Sequence, residues 1–313
     1  MAPTNRKQPK RSTASDSLYT LVEFMHEFPD DEACLNHLWR TYSPDGTHAL
    51  CPKCNGEREF KRYDTKQQRQ SWTCTACGHH VHPTAGTIFH KSSTSLHLWF
   101  YAMYLMTGTK CGISAKQLER ELVVTYKTAW RIAKEIRQVL ICQTNESLGN
   151  TVELDETFIG GKAINMHTNK RREKIQGRGT AGKAAVFRAV ERRSKVVTVP
   201  NVDRVTLMPH IYEHAIPAST VYTDEMGAYQ PLKEQGFNHD VVKHAGHVYV
   251  SGDLYTNTIE GFWSLVKRGI GGVYHSISAK HLQGYLNEYT WRYNYRGDDR
   301  AQLLTLIFRT AKS

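Results

Sequence analysis

Apolar residues recur at helical spacing through LYTLVEFMHEFPDDEACLNHLWRTY (18–42), and Pro29 interrupts them. The pattern predicts two short helices, the second capped by Asp30 or Asp31. Leu96 to Met106 is dense in aromatic and aliphatic side chains and predicts one compact helix. Residues 114–138 (SAKQLERELVVTYKTAWRIAKEIRQ) read as helix, turn, helix, with Ser114 and Thr125 as candidate caps. Near Asn150 the period changes. TVELDETFIGG, AAVFRAVERR and KVVTVPNV predict three consecutive strands. A helix (TLMPHIYEHAI), a fourth strand (STVYTDEMGAY) and a short fifth (NHDVVKH) follow. Two further helices are expected, from about Asn257 to Gly269 and about Ala279 to Arg296. Residues 160–183 are glycine-rich and basic, and predict a long mobile loop between the first two strands.

These elements imply an α+β multidomain chain. Residues 1–17 read as a disordered basic arm, 18–48 as N-terminal helices, 49–90 as a cysteine-bearing module and 91–146 as a helical region containing the helix-turn-helix pattern. Residues 150–313 read as an α/β domain. Three antiparallel strands followed by alternating helices and strands is the order of an RNase H-like domain, by pattern and by analogy. No internal repeat is evident.

The net charge of +11 and pI of about 9.3 suit a polyanionic partner, nucleic acid being the common one, although many soluble proteins are mildly basic. No run of about 18 apolar residues is present, so no membrane span is expected. MAPTNRKQPKRSTASDS has basic residues with no apolar core behind them, unlike a secretory signal. Seven cysteines, four of them in C-x-x-C pairs, fit a reducing cytoplasmic compartment better than an oxidised scaffold. Cys34, Cys111 and Cys142 fall in apolar helical patterns and are expected to be buried small hydrophobes.

Cys51-Pro-Lys-Cys54 and Cys74-Thr-Ala-Cys77 form two C-x2-C pairs separated by nineteen residues. Each pair fits a tight knuckle, and two knuckles complete a tetrahedral sulfur site, so structural Zn2+ in a zinc ribbon is expected. Four thiolates leave no open coordination position, and this ion should do no chemistry. His79, His80, His82 and His90 follow closely and are read as surface or packing residues. In the helix-turn-helix pattern, Tyr126, Lys127, Thr128 and Arg131 open the second helix, where groove-reading side chains belong. Two amphipathic helices with a short turn are also common in helical domains that never touch DNA.

Three acids stand out. Alternation in VELDETF puts Val152, Leu154 and Glu156 on one face of a strand, with Glu153, Asp155 and Thr157 on the other. Asp224 closes the strand VYTD. Glu260 sits in NTIEGFWSLVKRG, a helix carrying Asn257, Ser264 and Lys267 near the same face. Oxygen ligands of this kind suit two hard cations such as Mg2+ or Mn2+ in phosphoryl transfer. Each acid taken alone also has an ordinary structural reading.

From about Leu18 to Arg296 the chain resembles bacterial insertion-sequence transposases with an N-terminal zinc ribbon and a DDE domain, a group related to Merlin elements. The resemblance rests on the cysteine pairs, on VELDETFIGGK, on VYTDEMGAY and on NTIEGFWSLVKRGIGGVYHSIS. It implies Asp155, Asp224 and Glu260 as ligands of Mg2+ or Mn2+, and Lys267 as a basic residue near the cleaved phosphate. It also implies binding of double-stranded DNA at terminal inverted repeats, metal-dependent strand cleavage, and strand transfer to target DNA by a freed 3′-hydroxyl. Joining two ends calls for a homodimer or a higher oligomer, and the setting would be cytoplasmic and nucleoid-associated. Glu260, rather than Asn257 or Asp253, is the expected third ligand. Lys170, Arg171, Arg172, Lys174 and Arg178 in the basic loop, together with Arg268, are candidate DNA contacts. An RNase H-like nuclease or resolvase without strand transfer, and a zinc-ribbon DNA-binding regulator without catalysis, are the alternatives.

Overall fold

Pro29 and the acids behind it set the first helical pair. Helix α1 (Leu21–Glu27) starts at a capping box between Thr20 and Glu23, and α2 (Asp31–Arg40) starts at Asp30, whose carboxylate accepts the Ala33 N–H at 2.8 Å. The computed structural model describes residues 19–63, 71–140, 148, 150–161, 167–169, 172, 182–191, 194–242, 250–251, 254–255, 257–298 and 300–310. The basic arm expected over 1–17, Cys142, and most of the basic loop at 160–183 lie outside the described residues.

The chain divides into two compact units. The first comprises residues 1–109, 115–139 and 297–313. After α2 come four antiparallel strands, β1 (His48–Cys51), β2 (Gly56–Tyr63), β3 (Ser71–Cys74) and β4 (His80–Val81), paired in sequence order. Trp39 of α2 seals this small sheet by stacking on Trp72 at 4.6 Å between ring centres. Helices α3 (Leu96–Gly108), α4 (Ala115–Leu122) and α5 (Tyr126–Val139) complete the middle of the unit. Cys34 is buried in α2 as expected. Cys111 is not: α3 ends at Gly108, and the thiol lies exposed in the turn beyond it.

A last helix, α9 (Arg300–Thr310), has no counterpart in the sequence reading, which carried a single domain from 150 to 313. It belongs to the first unit because Phe308 packs on Phe100 and Phe28, with ring centres 4.3 and 5.7 Å apart. Arg300 lies 3.6 Å over the ring of Tyr104 and donates to its hydroxyl at 2.8 Å.

The second unit, residues 110–114 and 140–296, is built on a five-stranded sheet. Its strands are β5 (Thr151–Ile159), β6 (Ala184–Val190), β7 (Ser194–Val199), β8 (Thr220–Thr223) and β9 (Asn238–Val241), in the order β7-β6-β5-β8-β9. The first three are antiparallel, whereas β8 and β9 run parallel to β5. Helix α6 (Arg204–His214) covers one face. Between β9 and the next helix, β10 (Val250–Ser251) and β11 (Leu254–Tyr255) pair as a minimal ladder. Helices α7 (Asn257–Gly269) and α8 (Ala279–Asn294) cover the other face.

Strand β6 shows how the sheet separates two cores. Ala185, Phe187 and Ala189 join the core under α6, while Val186 and Val190 join the core under α7 and α8. With both faces covered, such a strand has few solvent-facing positions, which is why AAVFRAV lacks a clean polar alternation. Its one charge, Arg188, is fully buried between the Ile259 carbonyl, to which it donates at 3.2 Å, and the rings of Phe262 and Tyr293. Among the described residues, no helix is long and apolar enough to cross a membrane.

Candidate active site

Strand β8 stops at Thr223, and its pairing with β5 runs only from Thr151 to Glu153. Beyond Glu153 that edge of β5 has no partner in β8. Asp224 begins the turn there, its carboxylate accepting the Met226 N–H at 3.0 Å. Asp155 and Glu156 project from opposite faces of β5, yet both reach round the open edge. Each of Asp155, Glu156 and Asp224 offers a carboxylate oxygen, and these three oxygens lie within 4.8 Å of one another. The sequence reading brought Asp155 and Asp224 forward but left Glu156 on the far face. Alternation was right, and the missing signal was the early end of β8, a tertiary fact.

The other wall is α7, which Glu153 anchors. The buried Glu153 carboxylate accepts the Ile259 N–H at 3.0 Å in the first helical turn, where the helix dipole favours an anion. Trp263, one turn further on, donates its indole N–H to Asp155 Oδ2 at 2.9 Å, and the Glu156 N–H donates to Oδ1 at 2.9 Å. Both Asp155 oxygens are thereby oriented while keeping lone pairs for a cation. A cavity of about 620 Å3 is lined by Asp155, Glu156, Thr157, Glu260, Trp263, Ser264, Lys267 and Arg268. Glu260 is exposed on its rim and does not join the tight set of three oxygens. Lys267 lies two turns along the same helix face.

Burial pushes Asp155 up to about 6 despite the Trp263 hydrogen bond, and Asp224 pushes the same way. Burial likewise raises Glu156 to about 7, with Asp224 and Asp155 adding to the effect. The Tyr229 hydroxyl donates to Glu156 and opposes that rise. Three crowded acids, two of them resisting ionisation, form a donor set that a hard divalent cation would relieve. The residues present therefore fit such an ion. Trp263 and Tyr229 were not singled out from sequence, because an aromatic residue in an apolar pattern reads as core.

In the first unit, Cys51, Cys54, Cys74 and Cys77 converge, with Sγ–Sγ distances of 3.7 Å for Cys51–Cys77 and 4.0 Å for Cys54–Cys74. Zinc–sulfur bonds of about 2.3 Å in a tetrahedron require about 3.8 Å between sulfurs. The two knuckles are built alike. Asn55 and Gly78 follow the second cysteine of each with φ of 50° and 69°, and donate to the Cys51 and Cys74 carbonyls at 2.9 Å. Only glycine and, less readily, asparagine take that conformation at little cost. Burial alone would raise the Cys51 thiol, but the Cys54 and Lys53 backbone N–H groups, together with hydrogen bonds from the Cys77 and Cys54 side chains, lower it and favour thiolate. The nearby histidines are not in this cluster. His80 Nδ1 instead lies 2.9 Å from Thr73 Oγ1.

In the first turn of α5, Tyr126 and Lys127 are exposed, and Thr128 is half-buried beside Thr125. Arg131 already has partners: it donates to Ser92 at 3.1 Å and Thr94 at 3.2 Å, and lies 5.7 Å over Trp99. Arg172 is exposed, whereas Lys170, Arg171, Lys174, Arg178 and Asp253 lie outside the described residues, as does the side chain of Asn257. Arg268 is exposed, and its Nε donates to the Ser264 carbonyl at 3.2 Å.

Residues 147–294 match the model of the ISXO2-like transposase domain. A protein of the transposable element ISH50 from Halobacterium salinarum is 28% identical over 271 residues, covering 83% of this chain and 90% of that protein. A transposase-like protein from Haemophilus influenzae is 38% identical over 98 residues, 31% of this chain and 78% of its own. The crystal structure of a pre-cleavage Mos1 transpososome aligns over 64% of this chain and 75% of that one, at 9% identity and a TM-score of 0.23, too distant to bear on the fold. On its sequence relationships, this chain belongs to the insertion-sequence transposases.

Proposed function

We propose that the chain cleaves and joins DNA strands by a two-metal mechanism, with Mg2+ or Mn2+ held by Asp155, Asp224 and Glu260. The observation that carries this reading is the meeting of Asp155 and Asp224 at the end of β8, with Glu260 and Lys267 lining the adjoining cavity. Two such ions, when bound, activate water or a 3′-hydroxyl and stabilise the departing oxygen. Asp155 is held in one orientation by Trp263 and the Glu156 N–H, so it needs little rearrangement to serve as a ligand. Lys267 and Arg268, on the same cavity wall, suit a phosphate. The order β7-β6-β5-β8-β9, three strands antiparallel and two parallel, supports an RNase H-like catalytic domain.

In this reading the cysteine cluster holds one structural zinc, and the region 18–145 binds the inverted-repeat ends of duplex DNA. At least two chains act together, because two ends must be joined to one target. The test uses purified chain, Mg2+ and DNA carrying the element ends. Strand nicks at the ends and joined products are expected from the native chain, and neither from Asp155→Asn or Asp224→Asn, both of which should still retain DNA. Cleavage without joining would reduce the protein to a nuclease. Equal cleavage by Asp224→Asn would remove the site.

A further inference from the structure

We propose a further metal site, for zinc or a similar borderline cation, formed on α6 by His210, Glu213 and His214. Residues spaced i, i+3 and i+4 share one helix face, and two histidines four apart are an arrangement that holds zinc. Here His210, Glu213 and His214 each offer a ligand atom, and these atoms lie within 4.8 Å of one another. His210 Nδ1 and Glu213 Oε2 are already 3.7 Å apart. Ligand bonds of about 2.0–2.1 Å in a tetrahedron need about 3.3 Å between donors, so modest side-chain rotation completes the set.

The second observation is His214 itself. It is 8% exposed, and neither ring nitrogen makes a hydrogen bond of good geometry among the described residues, the nearest polar approach being the Glu213 backbone. A buried imidazole normally satisfies at least one nitrogen with a well-formed hydrogen bond, and leaving both short of one is costly. A cation would satisfy one. His210 is half-buried and stacks on Phe187, while Glu213 is exposed, leaving room for water in the remaining position. Two imidazoles and one carboxylate suit zinc, with cobalt and nickel as close substitutes.

Such an ion would pin the last turn of α6, whose His214 carbonyl accepts the Leu148 N–H at 2.6 Å. The site lies on the face of the sheet that α6 covers, away from α7, so it is not a ligand set for the phosphoryl-transfer ions.

The experiment titrates Zn2+ calorimetrically into the full chain, first dialysed to keep its tightly held metal. The Asp224→Asn background weakens competition from the carboxylate site. One additional zinc per chain is expected. His210→Ala and His214→Gln should each weaken it by at least about tenfold, a loss seen even for outer-shell partners. Cysteine-bound metal should stay constant. Cobalt should report nitrogen and oxygen ligation in the visible spectrum without sulfur charge-transfer bands. An unchanged isotherm in His210→Ala, a half-buried position, overturns the site even if His214→Gln fails to fold.

Discussion

Replacing Asp155 with Asn should stabilise the chain when divalent cations are withheld, although the same change abolishes catalysis. The Asp155 carboxyl is moved from its ordinary 3.8 to about 6, chiefly by burial. A displacement of that size means that holding the ionised form in the folded chain costs about 3 kcal/mol at neutral pH. Asparagine removes the charge but keeps a single oxygen, enough for either the Trp263 indole or the Glu156 N–H, so one hydrogen bond of about 1 kcal/mol is forfeited. A net gain of about 2 kcal/mol remains, which for a unit of this size is a rise of about 4–8 °C in Tm. The sign follows from linkage: the folded-state value is raised, so the penalty is full above about 6 and disappears below the unfolded value of 3.8. Thermal melts of both proteins from pH 8 to pH 4.5, in Mg2+-free buffer without chelator, should therefore converge as pH falls. Saturating Mg2+ should raise the native chain by about 2.7 kcal/mol at a hundred times its Kd, and the variant far less. A variant that melts at or below the native temperature at pH 8 without Mg2+ would refute the reasoning.

Cys74→Ser should release about one zinc per chain and unfold β1–β4 locally, read by metal analysis and by protease sensitivity near Trp72. Neutralising Lys170, Arg171, Arg172, Lys174 and Arg178 together should flatten the salt dependence of DNA binding by roughly one unit of log–log slope per lost phosphate contact. Glu260→Gln should abolish Mg2+-dependent cleavage while leaving DNA binding largely intact, with Asn257→Ala and Asp253→Asn retaining measurable activity. Glu156→Gln should weaken Mg2+ binding by about tenfold in a calorimetric titration if its carboxylate shares the ion with Asp155 and Asp224; an unchanged isotherm would assign it to Tyr229 alone.

What the sequence made legible was whatever is encoded locally. The run NTIEGFWSLVKRG carries its own helical period and matches α7 from Asn257 to Gly269. Both cysteine knuckles announce themselves by spacing, whereas the positive φ of Asn55 and Gly78 behind them was seen only in the fold. Legibility failed where a distant segment decides. Glu156 joins Asp155 only because β8 ends early, and β8 lies about seventy residues away in the chain. Arg131 reads as a free groove-facing cation until Ser92, Thr94 and Trp99 are seen to hold it. The sequence pattern of α9 is helical enough, but nothing near it says that its partners are Phe28 and Phe100, more than two hundred residues upstream.

That return of the chain has a consequence for synthesis. A ribosome has made α1 to α5 long before it reaches Gly297, yet the aromatic cluster of those helices stays open on the side that Phe308 fills. A product terminated anywhere within the second unit thus carries an unfinished first unit, with Phe28 and Phe100 left without that ring. Completion of the N-terminal half therefore waits until the whole second unit has been made, so a fragment that lacks catalysis for want of that unit also lacks a finished first unit.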